Sequence, residues 1–349
     1  MSRTSDEVVL FHVDELRTVS ESILVAVGTP DDLASIVAGS LVDANLAGHD
    51  SHGVLRLPTY VAAVRNGQVI PAARPQFESL GGACGQVDGA WGWGQPAVHL
   101  ATDHAIGLAA TNGVALVSVS HCNHAGRLGE YVERIARSGQ IGSIVCNSKP
   151  AVAPHGGYTR MLGTNPVAWS VPTPPGEPPV VIDFATSMVA EGKLKVARAA
   201  AEDVPAGALL DSQGRPTQDP SAFYEGGALM TFGGHKGYGM SVMVELMGGI
   251  LSGSGPSCLP GYDNGYGTVI IAIDVDRFSP KPRFMAQVEA FCHEIRSAPP
   301  APGFDAVLTP GEPEWRSRAS RLDLGIEIPA STRKAIIDVA ASLSLQLPW

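Results

Sequence analysis

Two short stretches of the chain set histidine beside small polar residues and end in glycine. They are His49-Asp50-Ser51-His52-Gly53 and His121-Cys122-Asn123-His124-Ala125-Gly126. Histidine is the side chain whose ordinary pKa lies closest to neutrality. Two such stretches point to proton chemistry at a metal site, in a hydrolytic triad or in a redox enzyme. His49/His52 and His121/His124 both have H-x-x-H spacing, and four imidazoles could hold zinc. Zinc enzymes usually carry such pairs on a helix beside a carboxylate, whereas both clusters here fall in glycine-flanked loops. Loop histidines of this kind ordinarily cap or hydrogen-bond, and no metal is expected. A serine hydrolase is disfavoured because Ser51 lacks the G-x-S-x-G elbow. Adjacent side chains on a turn are also expected to point apart, leaving Ser51 poorly placed against His52.

Dinucleotide chemistry is the third possibility. Gly92-Trp93-Gly94-Gln95-Pro96-Ala97 matches G-x-G-x-x-A, between a possible strand and a helix. A Rossmann unit then needs an acid at the end of the next strand to hold the ribose. That strand, Val114 to Ser120, ends instead in the second histidine cluster, so a nicotinamide cofactor would bind without a Rossmann fold. Phosphate-friendly loops occur at Gly156-Gly157, Gly163-Thr164-Asn165 and Gly233-Gly234-His235-Lys236-Gly237. Free backbone N–H groups plus a cation cradle phosphate, which favours Lys236, although any one glycine-rich loop is as readily a tight turn.

The elements that must position these residues are legible in outline. Helices are expected over Val13 to Val27, from Leu33 to Gly48 with Thr29 as N-cap and Pro30 at N1, and through Leu57 to Val64. A strand pair from Phe77 to Val87, a helix from Ala97 to Thr111 and a buried strand from Val114 to Ser120 follow. Next come a helix from Leu128 to Arg137 and a strand from Ile141 to Asn147. Further strands are read at Val180 to Phe184 and Thr268 to Val275, and a closely packed helix from Gly233 to Leu251. The Pro-bounded stretch Ser279 to Thr309 holds a helix from Met285 to Arg296, and residues 330–346 form the last. The alternation implies an α/β core.

With 349 residues, the chain is long enough for two domains or one elaborated domain. At 44% hydrophobic and 17% charged residues it is globular. A net charge of −10 and 6% aromatics argue against nucleic acid. Five scattered cysteines with no CxxC pair fit a reducing cytoplasm. Met1–Glu7 has no apolar stretch behind it, so no signal peptide is expected. The longest apolar run, Tyr238 to Leu251, is broken by Glu245 and is too short to span a bilayer.

Taken together, the motifs resemble the malate/L-lactate dehydrogenase family of type 2, nicotinamide enzymes unrelated to Rossmann-fold lactate dehydrogenase. The match extends from about residue 10 to 330. It rests on Gly48-His49-Asp50-Ser51-His52-Gly53-Val54-Leu55-Arg56-Leu57-Pro58, Asn123-His124-Ala125-Gly126, Pro154-His155-Gly156-Gly157 and Leu162-Gly163-Thr164-Asn165-Pro166. It continues through Asp183-Phe184-Ala185-Thr186-Ser187, Ala190-Glu191-Gly192-Lys193, Gly214-Arg215-Pro216-Thr217-Gln218-Asp219-Pro220, His235-Lys236-Gly237-Tyr238-Gly239 and Pro310-Gly311-Glu312.

The resemblance implies a mixed-sheet, non-Rossmann NAD(P)-binding core over residues 76–285. It implies a helical domain built from residues 1–75 and 286–349. It implies hydride exchange between NAD or NADP and a small 2-oxo or 2-hydroxy acid of malate, lactate or sulfolactate type. His52 is the first-ranked proton donor, in a relay with Ser51 and Asp183, and His124 the second. Arg56 is expected to grip the substrate carboxylate, with His155 and Thr164 also at the substrate. Cofactor contacts are implied for His121, His124, Gly126, Arg127, Leu128, Ser148, Asp183, Phe184, Ala185, Lys236, Gly237, Thr309, Pro310, Gly311 and Glu312. His155 stands where an aromatic is commoner, and Phe184 replaces the usual methionine. A cytoplasmic homodimer with its site near the subunit interface is expected. The same motifs are compatible with a cyclic imino acid reductase of piperideine or pyrroline carboxylate type. A catalytically silent binding homologue is the remaining alternative, although the acid/base set is present.

Overall fold

The computed structural model describes residues 9–347 and 349. Met1–Val8, where no leader is expected, lie outside the described residues. A seven-stranded mixed sheet forms the centre, in the order Gln76–Gly81, Cys84–Asp88, Val114–Ser120, Thr268–Asp274, Gln140–Cys146, Pro166–Val171 and Val180–Ala185. Only Cys84–Asp88 and Val114–Ser120 run parallel; every other neighbouring pair is antiparallel. A doubly wound sheet is mostly parallel, whereas this one is mostly antiparallel, so the non-Rossmann expectation is borne out.

Helices Gly94–Asn112 and Gly129–Arg137 pack against the sheet. Their alanines and aliphatics meet Val117, Val119, Ile144 and Ile270 in one buried cluster. A second cluster lies in the helical layer. Helix Val13–Ala26 has Leu16, Val19 and Ile23 on one face, the spacing of an amphipathic helix. They meet Val37, Leu41 and Leu57 from Asp31–Leu46 and Leu57–Arg65, and Ile336 from Ala330–Ala341. Strand Val9–Phe11 pairs with Ile326–Ile328, which ties the two ends of the chain into this layer. A third, smaller cluster gathers Leu194, Leu209, Phe223 and Leu229 beside a three-stranded sheet.

Thr29 does not cap the second helix as expected. The helix starts at Asp31 after Pro30, without a side-chain cap. The Thr29 hydroxyl instead accepts from Trp93 Nε1 at 3.0 Å. The Gly92–Ala97 motif is not a phosphate loop either: a Cβ at Gly94 would overlap the carbonyls of Asn123 and His124. Glycine there lets the second histidine loop lie against the helix start.

Candidate active site

The first histidine stretch is held in shape by its neighbours. Helix Asp31–Leu46 stops before Gly48, whose φ of +82° turns the chain. A 3-10 turn, Asp50–His52, follows. Buried Asn45 pins both sides of it: Nδ2 donates to Asp50 Oδ1 at 2.6 Å, and Oδ1 accepts from Val54 N at 2.9 Å. Arg321 pairs with Asp50 at 2.7 Å, and His49 Nε2 lies 3.2 Å from Glu314 Oε1. The tight turn overturns the expectation that Ser51 and His52 diverge. Ser51 Oγ lies 3.1 Å from His52 Nδ1, leaving Nε2 with no hydrogen bond among the described residues. Gly192 makes room on the other side, since a Cβ there would come within 2.9 Å of Ser51 Cβ.

His124 meets the same turn from the sheet. Its ring stacks on His52, with centroids 5.5 Å apart and planes at 16°. Gln95 Nε2 donates to Tyr60 Oη at 2.8 Å, and Tyr60 Oη lies 2.9 Å from His124 Nδ1. Tyr60 is buried, and burial pushes its hydroxyl up to about 12, so it stays a phenol. Arg56 lies beside both rings. Its Nε donates to the Ser51 carbonyl at 2.7 Å, and no ion pair engages its Nη groups among the described residues.

Burial, then the charge of Arg56, pushes His52 down to about 3, and the same causes hold His124 well below its ordinary value. Both rings are therefore neutral at physiological pH. A ring that binds its proton more weakly when folded stabilises the fold fully above its unfolded pKa. That contribution falls as pH drops below about 6.5 toward the folded value. Urea unfolding is expected to lose about 1 kcal/mol per pH unit on account of His52 between roughly pH 6 and 4, with His124 acting in the same direction. The slope should be shallower in His52→Gln; an equal slope in the two proteins would contradict the burial of a neutral His52.

An open cleft of about 560 Å³ adjoins this pair. His49, Ser51 and His52 form one wall, and Gly126, Arg127, Leu128 and Asp183 another. Thr164, Phe184, Ala185, Met188, Lys193 and Phe232 complete it. Asp183 does not close the expected relay. Its Oδ2 accepts from Gly129 N at 2.7 Å, and no hydrogen bond joins it to Ser51 or His52 among the described residues. The reason is its position at the N-terminus of helix Gly129–Arg137, which attracts an anion. Burial raises its pKa, opposed by Arg127 and the Gly129 N–H.

The cleft fits a group with both charge and flat apolar surface. Arg127 is buried and bound to Glu133 at 2.6 Å, yet its Nε and Nη1 have no hydrogen-bond partner among the described residues. Buried donors of this kind are normally satisfied. Phe184 and Phe232 meet edge to face at 5.5 Å in the same wall.

Other expected residues lie outside this wall. His121 is exposed and turned to Asp88 at 3.0 Å. Ser148 is buried behind the wall, where its Oγ accepts from Thr164 N at 3.1 Å. His155 sits over Gly234 and near His235, with ring centroids 6.2 Å apart. Lys236 is exposed at the start of helix His235–Val244, and Gly237 N donates to the carbonyl of Phe232. Thr309 donates to Glu312 Oε2 from both N and Oγ1 at 3.2 Å, and the Pro310 carbonyl accepts from Val181 N. Gly311 packs on the same strand. That loop therefore starts helix Glu312–Leu324 and docks it. His49, Ser187, Met188, Lys193 and Phe232 in the cleft, and Tyr60, Gln95 and Asn45 behind it, were not anticipated as site residues. Three of them carried a signal: His49 in the first histidine stretch, Ser187 in the quoted Asp183–Ser187 motif and Lys193 in Ala190–Lys193. Among the described residues no three His, Cys, Asp or Glu side chains converge as a metal cluster.

An imidazole pair, an arginine with free donors and a ligand-sized cleft beside a mixed sheet define a non-Rossmann dehydrogenase site. The model of the malate/L-lactate dehydrogenase family matches residues 11–337, and the chain belongs to that family. It is 35% identical over 344 residues to a malate dehydrogenase of Pyrococcus abyssi, covering 95% of this chain and 94% of that protein. It is 35% identical over 346 residues to an L-lactate dehydrogenase of Cupriavidus necator, covering 95% and 97%. The solved Δ1-piperideine-2-carboxylate reductase of Pseudomonas syringae superposes with a TM-score of 0.84 at 32% identity, covering 95% of this chain and all of that one.

Proposed function

We propose that the chain oxidises a small 2-hydroxy acid to its 2-oxo acid, and reverses this, with NAD or NADP. The observation that carries the reading is the Ser51–His52–Arg56 turn. It sets a neutral imidazole beside a guanidinium, with no hydrogen bond on the ring Nε2 or on the Nη groups among the described residues.

A bound nicotinamide supplies or accepts the hydride. Arg127, through Nε and Nη1, which have no partner among the described residues, would hold a cofactor oxygen, with Gly126, Leu128, Phe184 and Ala185 along its body. Lys236, Gly237 and the Thr309–Glu312 loop are assigned to it by family resemblance. Arg56 grips the substrate carboxylate in a planar fork. In oxidation His52 Nε2 takes the hydroxyl proton, and in reduction it returns one. Ser51 steadies Nδ1. His124, turned by Tyr60, flanks the reacting carbon. A substrate carboxylate offsets the Arg56 charge that depresses His52, so substrate binding itself raises the proton affinity of the ring.

The second reading, reduction of a cyclic imino acid, draws on the likeness to the piperideine carboxylate reductase. There the ring nitrogen receives the proton. A nicotinamide-absorbance screen with both cofactors, 2-hydroxy acids, 2-oxo acids and cyclic imines decides. Turnover confined to imines would replace the first reading by the second, and no turnover on any would favour a binding protein.

Met240, Met243, Leu246 and Ile250 form an exposed apolar run on one helix. Such a face calls for a partner surface, which supports a homodimer; sedimentation of the purified chain checks it. The five unpaired cysteines support a reducing compartment, the cytoplasm. Among the described residues no helix is long and apolar enough to cross a membrane.

A further inference from the structure

Glu245 is the single charged residue in the apolar run Tyr238–Leu251. It stands where helix His235–Val244 passes into a π-helical stretch, Glu245–Leu251. Such widened turns are rare and concentrate at functional sites. The residue is 4% exposed, and no ion pair reaches it among the described residues. Burying a carboxylate without a cation is strongly unfavourable unless hydrogen bonds replace its water.

Five do so. Oε1 accepts from Gly163 N at 3.0 Å, Asn165 Nδ2 at 2.9 Å and Ser257 Oγ at 2.6 Å. Oε2 accepts from Asn147 Nδ2 at 3.1 Å and Ser257 N at 2.9 Å. The donors come from three separate segments. Gly163 and Asn165 flank Thr164, which lines the cleft. Asn147 precedes Ser148, whose Oγ receives the Thr164 N–H. Asn165 holds a left-handed φ of +44°. A non-glycine residue keeps that conformation only where its surroundings fix it, and here Glu245 and Ser241 share its amide.

We infer that Glu245 is a positioning residue: from behind the cleft it fixes Thr164 against the substrate, acting through Gly163, Asn165 and Asn147. This rests on the reading that the cleft takes the 2-hydroxy acid. The chemistry asks for a carboxylate in particular. Each of its oxygens is met by a backbone N–H that cannot reverse, Gly163 on one and Ser257 on the other. In Glu245→Gln the new amide N–H₂ must face one of them, whichever way it is turned, while side-chain volume hardly changes.

The test is a double-mutant cycle with Thr164→Val, read as kcat/KM for the hydroxy acid per folded enzyme. E245Q alone is expected to lower kcat/KM about ten- to a hundredfold, the scale of a misplaced site group. In the Thr164→Val background the same change should cost less than about threefold, because coupled positions are not additive. Full additivity, or unchanged kinetics in E245Q, overturns the inference. So does a Thr164→Val variant that behaves as wild type. Glu245→Asp keeps the charge and withdraws it by one methylene. It should show the same non-additivity at smaller size, and it carries the test if E245Q does not fold. His52→Ala separates the two levels of the account. If it and His124→Ala both stay active, the site reading fails; if either is inactive while the cycle is additive, only the role of Glu245 fails.

Discussion

His52→Ala is expected to lower kcat by ~10²–10⁴, the span of a positioned acid or base, with cofactor affinity little changed. The structure sharpens this expectation. Ser51 occupies Nδ1 of the ring at 3.1 Å, so the loss should fall on chemistry at Nε2 rather than on the fold. The stacked His124 is the alternative donor, and near-normal turnover in His52→Ala with the loss in His124→Ala would transfer the role. The pH dependence gives a second readout. In the free enzyme burial and Arg56 push His52 down to about 3, so kcat/KM for oxidation should show no inflection from this ring near its ordinary pKa. A bound carboxylate offsets Arg56, so the acidic inflection of kcat, which reports the enzyme–substrate complex, should lie at higher pH than that of kcat/KM. Coincident inflections would mean that substrate does not neutralise Arg56.

Arg56→Lys should cut kcat/KM toward the acid by more than about tenfold, roughly 1.4 kcal/mol of transition-state stabilisation. Lysine keeps the charge but loses two things at once. It lacks the Nε donor that ties Arg56 to the Ser51 carbonyl at 2.7 Å, and it lacks the planar pair of Nη groups that would meet a carboxylate. The effect should appear chiefly in KM for the acid, with cofactor affinity unchanged. Wild-type kinetics in Arg56→Lys would leave the arginine a structural tie for the turn and nothing more.

Much of the central sheet was legible because its inner strands are apolar runs. Val114–Ser120 and Thr268–Asp274 are buried on both faces, and their pattern says so. The last third was harder. Helix Glu312–Leu324 has no buried side chain. It is held by charge, Arg318 to Asp43 at 2.6 Å and Arg321 to Asp50 at 2.7 Å, which hydrophobic periodicity cannot register. Strand Pro166–Val171 begins at a proline and exposes Trp169, and no strand was expected there. Within the site, Arg56 and the Asp183–Ala185 segment came only through the family resemblance, whereas the histidines announced themselves by type and spacing. Their supports did not. Asn45, Tyr60 and Gln95 look like ordinary helix residues until the fold brings them to the two rings. Even the Ser51–His52 contact depends on a 3-10 turn fixed by residues some 270 positions away and was read the wrong way round from local geometry alone.

Transfer of isotope from a 2-hydroxy acid deuterated at C2 tests the account most directly. Wild-type enzyme should oxidise it with the deuterium recovered quantitatively in the reduced nicotinamide, one per product formed, and with a primary isotope effect that is visible once chemistry limits the rate, as in His52→Ala. Deuterium appearing in solvent instead would mean that the carbon is deprotonated rather than stripped of hydride, and would contradict the dehydrogenase reading of this cleft.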